Sequence, residues 1–200
     1  MTETRIVLVR HGQSTWNADG RWQGHADPPL SALGEAQARA AADACPAVDV
    51  VVASDLVRAQ QTAAIIAGDR GFGPVHAEPR LRETFTGEWT GLTRDEIEET
   101  WPGWLAADRR PPGFETWEAV THRATSALTD LHTAHPGRTL LVVAHGGVIR
   151  AVERGLDVIG SVPKNLGGRW FRVNGDGLAA GDVVVLIDHT KVVVTAPDQL

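Results

Sequence analysis

Two short apolar runs, far apart in the chain, end in the same way. Ile6-Val7-Leu8-Val9 leads into Arg10-His11-Gly12, and Leu140-Leu141-Val142-Val143-Ala144 leads into His145-Gly146-Gly147. Unbroken apolar stretches of this length, rich in β-branched residues, read as strands buried on both faces, as in a parallel sheet covered by helices. Ligands of such sheets bind beyond the carboxyl ends of the strands. Each run thus delivers an imidazole to that place, beside a glycine that lets backbone come close. Either run alone reads equally well as a polar strand exit with no chemistry. The repetition separates the two readings, because two histidines at two strand exits imply two rings facing one pocket.

Helical patterns fill the intervals between the strands. Ser31 is placed to cap a helix whose face is Leu33, Ala36, Ala40 and Ala44, and Pro46 ends it. Residues 48–53 read as a second strand, with Asp55 as the cap of a helix from 56 to about 67, and residues 75–77 as a short third strand. A long helix carries Trp117, Val120, Ala124, Leu128 and Leu131 at helical spacing, with His122, His132 and His135 expected to face solvent. Residues 139–144 form the fourth strand, followed by a helix from 147 to about 156. Residues 170–173, 183–187 and 191–195 read as late strands, the last two as a hairpin. The alternation predicts an α/β class: a single domain over residues 1–200, with a mostly parallel central sheet flanked by helices.

Two segments break the pattern. Residues 12–30 form a long loop with two tryptophans, and residues 79–115 hold Trp89, Trp101, Trp104, an acidic helix at 95–99 and Arg109-Arg110. Loops this long in a compact domain are generally functional, and 79–115 is expected to be an excursion roofing the pocket. Its tryptophans, with Trp117, either stack on a ring of the substrate or belong to the core.

The net charge of −6 argues against nucleic acid as a partner. No apolar run approaches the ~20 residues of a membrane span, and the opening Met-Thr-Glu-Thr-Arg lacks the apolar core of a secretory signal. A lone cysteine, Cys45, leaves no intrachain disulfide. The expectation is a cytoplasmic protein with no membrane or nucleic-acid partner; a homodimer is left open. Nearly all of the 19 basic residues are arginine, whose planar fork suits phosphate and carboxylate, and lysine occurs only at Lys164 and Lys191. No H-E-x-x-H, cysteine pair or carboxylate cluster stands at ligand spacing, so neither a catalytic metal nor another cofactor is expected.

Four ordered elements resemble those of the histidine phosphatase superfamily, the phosphoglycerate-mutase-like family, in its phosphatase branch. They are Arg10-His11-Gly12 after a strand; Ser54 to Ala63, similar to S-x-x-x-R-A-x-Q-T-A; Leu81-Arg82-Glu83 with Gly87-Glu88-Trp89 and Gly91-Leu92; and Val143-Ala144-His145-Gly146-Gly147. The resemblance implies a metal-independent phosphatase that hydrolyses a small phosphorylated metabolite through a phosphohistidine. His11 would attack phosphorus, and Arg10, Arg58 and His145 would bind the equatorial oxygens that carry charge in flight. Arg58 sits near a helix start, where anions are favoured. Glu83 would protonate the departing alkoxide and then take a proton from water. Partial burial favours a carboxyl in that role, with Trp89 as the apolar wall and Glu88 as the rival acid. Asn17 falls in the frame R-H-G-x-S-x-x-N, and with Gln23, Gly24 and Gly146 it would add contacts at or near the phosphate. Arg82, Arg109 and Arg110 would take a second anionic group.

One departure stands out: Gly113-Phe114-Glu115-Thr116 occupies the place of G-G-E-S, which implies a narrower or more apolar rim. Two alternatives accompany the phosphatase reading. A phosphoglycerate mutase of this family carries a longer insertion than the short span from Glu83 to His145. A non-catalytic phosphometabolite-binding protein would have lost His11 or Glu83, and both are present.

Overall fold

The computed structural model describes residues 2–158, 160 and 163–188. Its strands are β1 (Thr4–Arg10), β2 (Val50–Ala53), β3 (Val75–Ala77), β4 (Thr139–Ala144), β5 (Gly167–Asn174) and β6 (Gly177–Val185). They form one six-stranded sheet in the order β3-β2-β4-β1-β5-β6. β3, β2, β4 and β1 run parallel; β5 and β6 extend the sheet antiparallel. The helices are α1 (Thr15–Ala18), α2 (Ala32–Ala44), α3 (Val57–Arg70), α4 (Arg94–Thr100), α5 (Trp117–Ala134) and α6 (Gly146–Gly155).

The apolar runs are continuous because both faces of the central strands are covered. Ile6 and Leu8 of β1 pack with Val120, Ala124 and Leu128 of α5 and with Val148 and Val152 of α6. Val7 and Val9 belong to the opposite core, with Ala41 of α2 and Ala59, Ala63 and Ile66 of α3. Each fully buried Val, Leu or Ile is worth about 1.5–3 kcal/mol, and a slip of one residue would exchange the two faces of a strand. Register is therefore firmly held. A third cluster of Trp22, Trp89 and Ile97, with Trp101, Trp104 and Phe114 against it, unites the two irregular segments.

β1 lies beside β4, with Arg10 opposite Ala144. The next residue on each strand is a histidine, and the His11 N–H donates to the Ala144 carbonyl at 3.0 Å. Glycine is needed just beyond. A Cβ on Gly12 would stand 2.6 Å from the Gly34 carbonyl oxygen, and one on Gly34 would collide with the Gln13 carbonyl. The N-terminus of α2 can rest against the β1 exit only because both side chains are absent.

Several local expectations change. The segment 12–30 contains the short α1, and β2 begins at Val50. Asp55 does not cap α3: the cap position is Leu56, with no side-chain bond. Asp27 from the preceding loop supplies the acceptor, taking the Val57 N–H at 2.6 Å, while Asp55 pairs with Arg82. The observed hairpin joins β5 and β6; the strand expected at 191–195 lies outside the described residues. Of the three histidines expected in solvent, His122 is exposed. His132 and His135 are half-buried, and His132 Nδ1 shares a hydrogen bond of 2.8 Å with Thr4 Oγ1. Among the described residues no helix is long and apolar enough to cross a membrane.

Candidate active site

His11 and His145 meet edge to face, with ring centroids 5.1 Å apart and planes at 63°. His11 is 2% exposed and His145 not at all. His11 Nδ1 bonds to the Gly12 carbonyl. A carbonyl oxygen only accepts, so Nδ1 carries the proton and Nε2 keeps a lone pair. Burial, and then the positive charges of Arg58 and Arg10, push the His11 pKa well below 6.5. The ring is thus neutral near pH 7, the state a nucleophile requires. Burial also drives His145 well below 6.5, with Arg58 and then His11 adding to it. Neither nitrogen of the His145 ring has a hydrogen-bond partner. Asn165 steadies the arrangement, its Nδ2 donating to the His11 carbonyl at 3.0 Å.

Arg58 is the second residue of α3 and is fully buried. Its guanidinium donates to the carbonyls of Ala26 at 2.8 Å and Gly24 at 3.0 Å, which ties down the first loop. Its Nε is buried without a partner. Arg10 donates to the Pro163 carbonyl at 3.3 Å. Burial lowers both guanidinium pKa values to about 10, against the opposing pull of Glu83. Both therefore stay cationic at neutral pH.

Glu83 reaches the same place from the segment 79–115. Its Oε1 accepts from the Thr84 N–H at 2.9 Å and its Oε2 from the Gly147 N–H at 3.3 Å. Gly147 lies in the first turn of α6, where a Cβ would collide with the Glu83 carboxylate and come within 2.7 Å of Thr84 Oγ1. The second glycine after His145 thus makes room for the Glu83 carboxylate.

A cavity opens over His11 and Arg10. Asn17, Trp22, Gln23 and Gly24 line it from the first loop, Glu83, Thr84, Thr86, Arg110 and Phe114 from the second segment, and Trp117 from α5. The expected site residues therefore divide. His11, Arg10, Glu83, Asn17, Gln23, Gly24 and Arg110 line the cavity, while Arg58, His145 and Gly146 lie buried behind it. Asn17 also has a capping duty, since its Oδ1 accepts from the Ser14 N–H at 3.2 Å.

Arg82 and Arg109 are not brought to the cavity. Arg82 grips Asp55 with two parallel bonds, one of them 2.8 Å from Nε, and Arg109 stacks on Trp104 at 4.2 Å. Glu88 is exposed and away from the cavity. Trp89 is not the wall beside Glu83. It packs in the tryptophan cluster, 5.2 Å from Trp22 and 5.9 Å from Phe114. The apolar wall is made by Trp22, Phe114 and Trp117, and Trp101 and Trp104 stay with the cluster.

Sequence reasoning missed Thr84, Thr86 and Asn165. Thr84 follows Glu83 directly, and that adjacency was the one available signal. Asn165 has none, because it bonds to backbone far away in the chain.

Residues 6–160 match the histidine phosphatase superfamily, branch 1. The chain belongs to that superfamily. It is 37% identical to a glucosyl-3-phosphoglycerate phosphatase of Mycolicibacterium vanbaalenii, over 91% of this chain and 89% of the relative. It is 36% identical to a 2,3-bisphosphoglycerate-dependent phosphoglycerate mutase of Methylobacterium radiotolerans, over 78% of this chain and 80% of the relative. Among solved structures, a mycobacterial glucosyl-3-phosphoglycerate phosphatase in complex with VO3 superposes with a TM-score of 0.74 at 30% identity, covering 92% of this chain and 98% of the other. The single α/β domain with its mainly parallel core is that of the superfamily.

Proposed function

We propose that the protein is a phosphatase that removes the phosphoryl group of a small phosphorylated metabolite through a phosphohistidine on His11. The observation that carries this reading is the state of His11: a neutral ring lining the cavity, its Nδ1–H engaged by Gly12 and its Nε2 lone pair left for attack. Nε2 forms a bond to phosphorus as the bond from phosphorus to the ester oxygen breaks. That oxygen keeps the electron pair and takes a proton from the Glu83 carboxyl. Water then attacks phosphorus and gives its proton to the Glu83 carboxylate. The P–N bond breaks back to Nε2, and inorganic phosphate leaves.

The transferring group carries charge on its equatorial oxygens, and catalysis consists mainly of meeting that charge. Arg10, Arg58 and an N–H of His145 do so. Arg58 Nε and the single N–H of the neutral His145 ring are buried donors without partners, a state that costs about 1–3 kcal/mol for each group. Phosphoryl oxygens supply the acceptors they lack.

The segment 79–115 closes over the site and brings Arg110 and Phe114 to the leaving-group side. The Arg110 guanidinium, paired with the exposed Asp108 at 2.6 Å and set over the Phe114 ring, suits a leaving group with an anionic end that can take the place of that carboxylate. The names of the two sequence relatives both contain a phosphoglycerate, which is such a carboxylate-bearing phosphoester. With Cys45 the one cysteine of the sequence, no intrachain disulfide ties the fold, which is in keeping with a reducing compartment such as the cytoplasm.

Rapid quenching of a turnover mixture containing radiolabelled phosphomonoester tests the reading. The wild type should yield a protein-bound label that survives alkali and is lost in acid. His11→Ala should yield neither label nor released phosphate while keeping its fold, and hydrolysis retained by that variant overturns the assignment. A phosphometabolite panel scored by released phosphate then identifies the substrate. Isomerisation of 3-phosphoglycerate with a 2,3-bisphosphate primer, without phosphate release, would place the protein with the mutases.

A further inference from the structure

The segment that carries Glu83 is gathered at three of its carbonyls by a single side chain from outside it. Arg123, in the second turn of α5, has five N–H donors, and each one has an acceptor. Nε donates to Glu115 Oε1 at 2.7 Å and Nη2 to Glu115 Oε2 at 2.9 Å. Nη1 donates to the carbonyls of Arg80 at 2.7 Å and Arg82 at 2.6 Å. Nη2 also donates to the carbonyl of Glu83 itself at 3.1 Å. The pair is mostly buried, with 18% of each side chain exposed.

Glu115 fastens the other end. Its Oε2 accepts from the Phe85 N–H at 3.1 Å, and its own N–H donates to the Phe85 carbonyl at 2.9 Å. His25 Nε2 adds a second donor to the Glu83 carbonyl at 2.8 Å. Residues 80–85 have little regular structure to fix them beyond the single turn at Pro79–Leu81. The backbone of Glu83 is therefore placed by a fork rooted in the long helix, and the carboxylate is then aimed by the N–H groups of Thr84 and Gly147.

We infer that Arg123, with Glu115, is a positioning pair that sets the distance from the Glu83 carboxyl to the departing oxygen. The inference rests on Glu83 being the proton donor. A guanidinium meets three converging carbonyls and a carboxylate at once because it is planar and forked. A lysine ammonium has three donors about one point and cannot hold that geometry. A shift of about 1 Å in a catalytic group costs on the order of 10²-fold in rate, so loss of the fork should be felt at the proton-transfer step in particular.

The test compares Arg123→Lys, Glu115→Gln and Glu83→Gln, alone and combined, on p-nitrophenyl phosphate and on β-glycerophosphate. Nitrophenolate leaves without a proton; the glycerol alkoxide needs one. Arg123→Lys should lose kcat/KM, which reports phosphoryl transfer to His11 and not the phosphohistidine hydrolysis common to both substrates, by about tenfold or more on β-glycerophosphate beyond its loss on p-nitrophenyl phosphate. In the Glu83→Gln background the same substitution should add almost nothing, because its effect runs through the missing acid. Glu115→Gln should repeat the pattern in weaker form, and it decides the matter if Arg123→Lys does not fold. Equal losses of kcat/KM on the two substrates, or full additivity with Glu83→Gln, would show a merely structural clamp and overturn the inference. If Glu83→Gln itself slows both substrates equally, the assignment of the acid fails first and the positioning role falls with it.

Discussion

Acidification provides a direct measure of the two buried rings. In the fold, His11 and His145 are neutral because burial and neighbouring cations push their pKa values well below 6.5, the value of the free side chain. Below 6.5 the unfolded chain binds more protons than the folded one, so acid favours unfolding. The stabilising difference is present in full above that value and is lost as pH falls from it toward the folded-state pKa values. At about pH 5.5, one unit below the unfolded value, each ring costs roughly 1.4 kcal/mol and the pair roughly 3 kcal/mol. That is a large part of the about 5–15 kcal/mol typical of a domain. His25, lowered mainly by burial, acts in the same direction and window. Carboxylates held low by arginine hydrogen bonds, Asp55 by Arg82 and Glu78 by Arg80, lose stability only as pH falls through their free values of 3.8 and 4.5. The range above about pH 5 therefore belongs to the histidines. Urea unfolding followed by tryptophan fluorescence, from about pH 7.5 to 5.5, should show the fall, and His145→Gln should remove roughly a third to a half of its slope, His11 and His25 supplying the rest. A flat profile in the wild type, or an unchanged slope in the variant, would refute the claim that these rings are buried neutral.

Two further outcomes follow from the site. Gly147→Ala should improve helix propensity by about 1 kcal/mol, yet its Cβ must displace the Glu83 carboxylate. For β-glycerophosphate kcat/KM should fall by about 10²-fold while that for p-nitrophenyl phosphate is largely spared; normal values for both in a folded variant would show that the contact has no bearing on proton transfer. In the proposed function the positive charge at the phosphoryl group comes from Arg10 and Arg58, so exhaustive treatment with EDTA should leave phosphatase activity unchanged, and activity restored only by an added divalent ion would contradict that assignment.

The chain's own order of residues determined a good deal. The two apolar runs are continuous because both faces of β1 and β4 are buried, and that pattern is written in adjacent residues. Each run ends in a histidine, so the placement of His11 and His145 at carboxyl ends of strands needed no coordinates. Arg10 and Arg58 stand in short contiguous motifs, and the fold brings both cations close enough to His11 to lower its pKa. Tertiary structure decided everything that depends on what lies opposite. Arg82 is adjacent to Glu83 but is drawn off by Asp55; Arg110 reaches the cavity while its neighbour Arg109 stacks on Trp104. Trp89 sits three residues beyond Thr86, yet it enters the aromatic cluster rather than the wall beside the acid. The protonation of His11 depends on burial and on a cation from α3, and the backbone carbonyl of Glu83 is bonded by an arginine from α5. A local pattern follows from the period of helix or strand. Burial, Coulomb interaction and hydrogen-bond partnership arise between segments remote in the chain, and these exist only once the sheet has brought β1 beside β4.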